Sequence, residues 1–435
     1  MPWPNDLEKE DAVPQKIRNI VRLAVQGTEA LQDLRQRAET ELRSDILPFW
    51  LKYAIDEQYG GFRGQIANDL TIDPLAHKGL ILNARILWTF SKAYSVYGEE
   101  IYRQTAGRAY DYISRYFWDA QFGGVFWLLD HLGRPVDAKK RIYGQAFTVY
   151  ALAEYHLAVK DQESLEKAVQ IYKAIEAASY DPLHKGYFET YERDWTLAKD
   201  QRLSDADMDE KKSMNTHLHL LEAYANLLRA WDNSALRGRL KELVRVFLGR
   251  VINPKTHHFI MFFDEEWHPR SDHVSFGHDI EGSWLLCEAA EILGDQPILK
   301  EVEDEAVRMA QTVHDEALDS DGGLQYEADS AGIFDTDKHW WPQAEAVVGF
   351  LNAYQLSRQE HFLAAAQRSW EFIEKYIVDR KYGEWFWLVS KEGIPSNAKF
   401  KVDPWKCPYH NSRACFEIMA RLDRLGQAHD HPGKH

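Results

Sequence analysis

The sequence predicts an all-α fold, an (α/α)6 barrel of six inner and six outer helices with short β-hairpins between helix pairs. Three observations carry this. A short Gly/aromatic segment recurs six times, at a spacing of about 64 residues. Two stretches with apolar residues at i, i+3, i+4 and i+7 lie between successive copies. In each pair, the first stretch is apolar nearly all round and the second carries charge on one face, which separates inner from outer helices.

The elements follow in order. LQDLRQRAETELRSDILPFW (31–50) is an amphipathic helix left without a partner in its own unit. It is expected to pack outside the last inner helix and close the ring; an open solenoid is the alternative. The first hairpin is QYGGFRGQI, where Gly supplies the turn and alternating side chains suit short strands. Inner 79–98 and outer 101–119 follow, then the hairpin from 121, inner 142–159 and outer 164–179. The third unit has its hairpin from 184, inner 213–228 and outer 236–251; the fourth has its hairpin from 256, inner 276–293 and outer 299–313. A hairpin from 321, inner 338–354, outer 361–377, a hairpin from 382 and inner 405–422 complete the series. A single domain is therefore expected over 16–425, with tails at 1–15 and 426–435.

Composition narrows the function. With 52 basic against 68 acidic residues the formal charge is -16, and no Lys/Arg cluster offers a surface to a phosphate backbone, so nucleic acid is not an expected partner. Three cysteines without C-x-x-C spacing argue against a disulfide framework and a zinc site, and fit a reducing cytoplasm. No run of 18 apolar residues is present and the N-terminus is acidic and polar, so no membrane partner is expected. Aromatic residues make up 13%, enough to fill a large core or to line a site for flat apolar faces.

Equivalent units place the starts of all six inner helices round one mouth, where polar residues collect: Asn83, Arg85, Tyr143, Gln145, Asn215, His217, His219, His278, Asp279, Glu281, His339, Glu345, His410, Asn411 and Arg413. Burying so many without a ligand or a hydrogen-bond network costs about 1–3 kcal/mol per unsatisfied group. Helical spacing pairs His278 with Glu281 and His410 with Arg413, and sets Glu222 about a turn beyond His217. Imidazoles outnumber free carboxylates, which favours proton transfer near neutral pH, such as moving a proton on a carbon beside a carbonyl. Two other chemistries stay open. Glycoside hydrolysis could use Asp279, Glu281 and Glu345, and a metal site could use His278, Glu281 and another His, although no H-E-x-x-H motif is present.

The segments ILNARILWTFSKAY, SMNTHLHLLEAYANLLR, VSFGHDIEGSWLL, DTDKHWWPQAEAVVGFLNAYQ and VDPWKCPYHNSRACFEI closely resemble those of cellobiose 2-epimerases, in the N-acylglucosamine 2-epimerase superfamily. The likeness runs in order from about residue 40 to 425. It implies an (α/α)6 barrel and reversible epimerisation at C2 of a reducing-end sugar, with no cofactor and no metal. It also implies that His278 and His410 are the two acid/base groups and that His219 assists ring opening. Arg85 would hold the oxygens of the enediolate and Glu281 would support His278. Tyr143, Asn215, Asp207, Trp341 and Trp405 match positions near the substrate. Trp341 and Trp405 have a structural alternative as core plugs, and Asp207 as a solvated loop residue. Asp279 is assigned a supporting role behind the site. The runner-up is a monosaccharide enzyme of the same superfamily, a mannose 2-epimerase or an aldose-ketose isomerase. The expected partner is a small-molecule sugar, acted on by a monomer, with a dimer as the alternative.

Overall fold

The computed structural model describes residues 29–430, so the tail read at 1–15 lies outside the described residues. Helix α1 covers 29–54 and includes wider π turns at Leu42–Ile46 and Trp50–Ala54. The inner helices are α2 (Leu80–Tyr97), α4 (Ile142–Val159), α6 (Met214–Ala230), α8 (Phe276–Leu293), α10 (Trp340–Ser357) and α12 (Tyr409–Asp430). The outer ones, besides α1, are α3 (Glu100–Tyr112), α5 (Gln162–Ala178), α7 (Ser234–Val246), α9 (Gln296–Glu316) and α11 (Glu360–Phe372). Each inner helix packs on the next and α12 returns to α2, so the ring is closed. The N-terminal helix takes its expected place outside α12: Arg35 pairs with Asp423, and Trp50 Nε1 donates to Glu384 at 2.7 Å. Helix α12 continues to Asp430, into the segment read as a C-terminal tail.

Burial explains the inner and outer faces. Of α4, every residue from Ile142 to Tyr155 is buried, as a stretch apolar except at Gln145, Thr148 and Glu154 requires, whereas α5 buries one stripe containing Leu165, Ala168, Ile171, Tyr172 and Ile175. No described helix is long and apolar enough to cross a membrane.

The hairpins differ from the sequence reading in what they pair with. The two residues before an inner helix form an antiparallel ladder with the hairpin of the following unit: Lys78–Gly79 with Leu128–Leu129, Lys140–Arg141 with Thr190–Tyr191, Lys212–Ser213 with Phe262–Phe263, Lys338–His339 with Leu388–Val389. A bridge between Ile66 and Val402 closes the circle. The strands therefore staple neighbouring units together at the mouth, a long-range pairing that local alternation cannot reveal.

A second repeat went unread in the sequence. A buried lysine precedes each of five inner helices and meets the aspartate that opens a Gly turn: Lys78–Asp56, Lys140–Asp119, Lys212–Asp181, Lys338–Asp319 and Lys401–Asp379, at 2.7–3.0 Å. The aspartates also accept turn N–H groups, as Asp181 does from Leu183 and His184. In the fourth unit Val274 and Asn253 stand at these positions, so both charges are absent together. Removing one partner of a buried pair strands the other. Lys212→Met is accordingly expected to lower stability by about 3–5 kcal/mol, read as a drop in the thermal unfolding midpoint. Adding Asp181→Asn, which copies the fourth unit, is expected to recover most of the loss.

Candidate active site

The mouth opens into a cavity of about 430 Å³, within the usual range for small-molecule sites. All ten site residues read from the sequence line it: Arg85, Tyr143, Asp207, Asn215, His219, His278, Glu281, Trp341, Trp405 and His410. Helix register explains which side chains arrive there. The second residue of an inner helix (Tyr143, Asn215, Trp341, His410), the third of α8 (His278) and the sixth (Arg85, His219, Glu281) face the cavity. In α4, α6, α8 and α10 the fourth faces the other way, toward the preceding hairpin, and holds its backbone. Gln145 accepts from Val125 N–H, His217 Nε2 from Tyr187 N–H, Asp279 from Phe259 N–H and Gln343 from Leu324 N–H, at 2.7–3.0 Å.

That register settles two residues. His217 is a clamp, with Nδ1 on the Ser213 carbonyl at 2.7 Å, and it makes no pair with Glu222. Asp279, given a supporting role behind the site, ties the start of α8 to the fourth hairpin through Phe259 N–H and His258 Nδ1, both at 2.7 Å.

Two cavity imidazoles rest on carboxylates. His219 Nδ1 meets Glu222 Oε2 at 3.0 Å, and His410 Nδ1 meets Glu345 Oε1 at 2.7 Å. An ionised carboxylate only accepts, so each Nδ1 carries a proton, and whenever the ring is neutral its lone pair is on Nε2. Glu345 also accepts from Trp284 Nε1 and Arg413; Glu222 accepts from Tyr409 and Arg413 and is brought down to about 2, because Arg413 and His219 outweigh its burial. His278 differs, its Nδ1 lying 2.7 Å from the Ser275 hydroxyl. Burial first, then the nearby His219 and Arg85, draws His278 down to about 3. Burial, Arg85 and Arg413 hold His410 well below the ordinary imidazole value. Both rings are neutral bases at physiological pH.

Trp341 touches both, its ring 4.7 Å from His278 and 5.6 Å from His410. Gly277 makes room for it, since a Cβ there would sit 2.5 Å from the Trp341 ring. Arg85 donates to the Tyr143 hydroxyl at 3.0 Å and lies over Phe147 at 4.2 Å, with no carboxylate within 4.0 Å among the described residues. It is a buried cation with no anionic partner of its own. Asn215 likewise keeps an unpartnered Oδ1 on the cavity. Trp405 packs edge-on against Trp127 at 5.6 Å and against Tyr143 at 6.0 Å, lining the rim and not filling the core. Asp207 is half-buried on the rim, accepting from Ser204 N–H and Oγ at 2.8 and 2.7 Å.

Glu281 departs from its expected role. Its carboxylate accepts from Arg413 and lies 3.9 Å from His410 Nδ1, while His278 is held by Ser275. Burial, then the charge of Glu345, pushes Glu281 up to about 7. Glu281, Glu345 and His410 could in principle share a metal, since their donor atoms lie within 4.8 Å of one another. Arg413 already donates one Nη2 to both carboxylates, so the cation between them is a guanidinium. Sequence reasoning also missed Tyr326 and Glu327, from the fifth hairpin. Tyr326 stacks on His339 at 3.8 Å and both line the cavity, a contact between segments whose local sequence carries no shared signal.

The family model described as N-acylglucosamine 2-epimerase matches residues 60–414. A cellobiose 2-epimerase of Bacteroides fragilis is 43% identical over 89% of this chain and 98% of its own length. One from Dictyoglomus turgidum is 39% identical over 90% of this chain and all of its own. The solved structure of cellobiose 2-epimerase from Bacillus thermoamylovorans superposes with a TM-score of 0.86 at 38% identity, covering 90% of this chain and 100% of that one. A ring of this architecture, a match over most of its length and relatives of such identity lead to one conclusion: the chain belongs to the N-acylglucosamine 2-epimerase family.

Proposed function

We propose that the protein interconverts epimers at C2 of the reducing-end glucose of β-1,4-linked disaccharides, turning cellobiose into glucosyl-mannose and lactose into epilactose. The observation that carries the chemistry is the pair of neutral imidazoles, His278 and His410, both packed against Trp341 in one cavity with the unpaired Arg85. The C2 hydrogen is acidic only in the open-chain aldehyde. His219, its Nε2 free to accept, takes part in the O1/O5 proton transfer that opens the ring. One of His278 and His410 then removes the C2 proton. The C–H pair becomes the C1=C2 bond of a cis-enediolate, and the charge on O1 is met by Arg85 and the Tyr143 hydroxyl. The other imidazole, having first taken up a proton from solvent, delivers it to C2 on the opposite face while the pair on O1 re-forms the carbonyl, and loss of the first ring's proton to solvent restores both. Trp405 and Trp341 offer flat faces to the sugar rings. The protein works without a cofactor, as a monomer, and in the cytoplasm, where its three free, buried cysteines would remain thiols.

Incubation with cellobiose, lactose, glucose and mannose in heavy water, read by chromatography and NMR, tests this. Epimers of the disaccharides with deuterium at C2 are expected. Turnover of mannose or glucose alone would move the assignment to a monosaccharide enzyme, and release of monosaccharides from cellobiose would replace it with hydrolysis. The depressed basicity of both imidazoles has a further consequence. A base works only unprotonated, so the acid limb of kcat/KM is expected well below pH 6.5, where an ordinary histidine would place it.

A further inference from the structure

Arg413, one turn beyond His410 on α12, lines no part of the cavity, yet it is the most heavily bonded side chain behind it. Its Nη1 donates to Glu222 and Tyr409, and its Nη2 to Glu281 and to Glu345 at 2.6 Å. The guanidinium is held between the Tyr409 and Trp284 rings, 4.4 and 4.7 Å from their centroids. These three carboxylates come from three inner helices, α6, α8 and α10, and converge on one buried cation.

Two of the carboxylates hold cavity imidazoles by Nδ1, Glu222 holding His219 and Glu345 holding His410. A carboxylate orients a ring only while it is ionised and fixed. Three buried glutamates cannot all remain so without a cation among them, and burial with the charge of Glu345 already pushes Glu281 up to about 7. Were Glu345 to take the proton, it could donate to His410 Nδ1 and turn the ring to the other tautomer, removing the lone pair from the cavity side. His278, on Ser275, stands outside this network.

We propose that Arg413 is a positioning residue for C2 epimerisation: through Glu222 and Glu345 it sets the tautomer and aim of His219 and His410 together, joining ring opening and C2 proton transfer to one guanidinium. The inference rests on the epimerase reading of the cavity. The charged and titratable groups facing His410 are Glu345 from α10, Glu281 and His278 from α8, Arg85 from α2, His219 from α6 and Arg413 on its own helix.

The test is kinetic, on the full chain with cellobiose. Arg413→Lys keeps a positive charge but cannot span three carboxylates. It is expected to lower kcat about 100-fold, with KM within about threefold of wild type. The acid limb of kcat/KM is expected to move to higher pH, because Glu281 and Glu345 lose guanidinium hydrogen bonds and their less compensated charge beside His410 favours its protonated form. Glu222→Gln and Glu345→Gln, which preserve shape, are each expected to lower kcat about 10- to 100-fold and to keep substrate affinity, read by titration calorimetry. A folded Arg413→Lys enzyme with unchanged kcat and pH profile would overturn the proposal. If that variant does not fold, wild-type kcat in both glutamine variants does so instead. Failure of the wild-type protein to exchange C2 hydrogen would remove the epimerase reading itself, a result distinct from either.

Discussion

Replacing His410 with alanine is expected to lower kcat for epimerisation by about 10²- to 10⁴-fold and to abolish deuterium incorporation at C2, and His278→Ala is expected to do the same. The size follows from the chemistry. Inversion at C2 needs one group to take the proton on one face and another to deliver a proton on the other, and no second imidazole stands behind either position. His219 is committed to Glu222, and packs against Phe147 and Tyr143 on another side of the cavity. The fold should survive both changes. Without His410, Glu345 still accepts from Arg413 and Trp284, so no buried carboxylate is orphaned. Without His278 the lost contacts are the hydrogen bond with the Ser275 hydroxyl and the packing against Trp341. Circular dichroism and thermal unfolding should therefore match wild type while label exchange is gone. Exchange retained by both variants would show that neither ring is the base.

The fold was legible because it repeats. Six turn-and-aromatic segments, five of them with Gly, and a consistent difference between apolar and half-charged helices are local signals that survive without any tertiary knowledge, and Leu42, Trp50 and the rest of α1 pack where the unpartnered helix had to go. The cavity residues were legible for a related reason, since helix starts in equivalent units share a mouth. Their bonds were not. Spacing along one helix puts His278 and Glu281 on a common face, but a buried carboxylate goes to the strongest donor in reach, and that donor, Arg413, lies 132 residues away. Glu222 similarly finds Arg413 across 191 residues and His219 across three. Nor does period alone separate the sixth residue of a helix, which enters the cavity, from the fourth, which turns to the hairpin. Asp279 looked like part of the chemistry because it sits between His278 and Glu281, and the hairpin it holds is visible only in three dimensions.

Arg85→Met is expected to divide activity from stability. A buried guanidinium without a carboxylate partner costs desolvation that the ground-state protein recovers through the Tyr143 hydroxyl, a long contact to Cys407 Sγ and the faces of Phe147 and Tyr409. Its Nε has no hydrogen-bond partner at all. Such an arrangement is retained where charge develops during reaction, and here the developing charge is the enediolate oxygen. Substrate in its neutral form gains little from the cation, whereas the intermediate gains much. The methionine variant should thus lose about 10²- to 10³-fold in kcat with a small change in KM. Its unfolding temperature should equal or exceed that of wild type, since an apolar side chain of similar length replaces an unpaired charge. Arg85→Lys should recover part of kcat, because a point charge remains although the two-pronged grip on adjacent oxygens is lost. A fall in stability with kcat preserved would make Arg85 a structural residue and leave the enediolate charge without its main counter-ion.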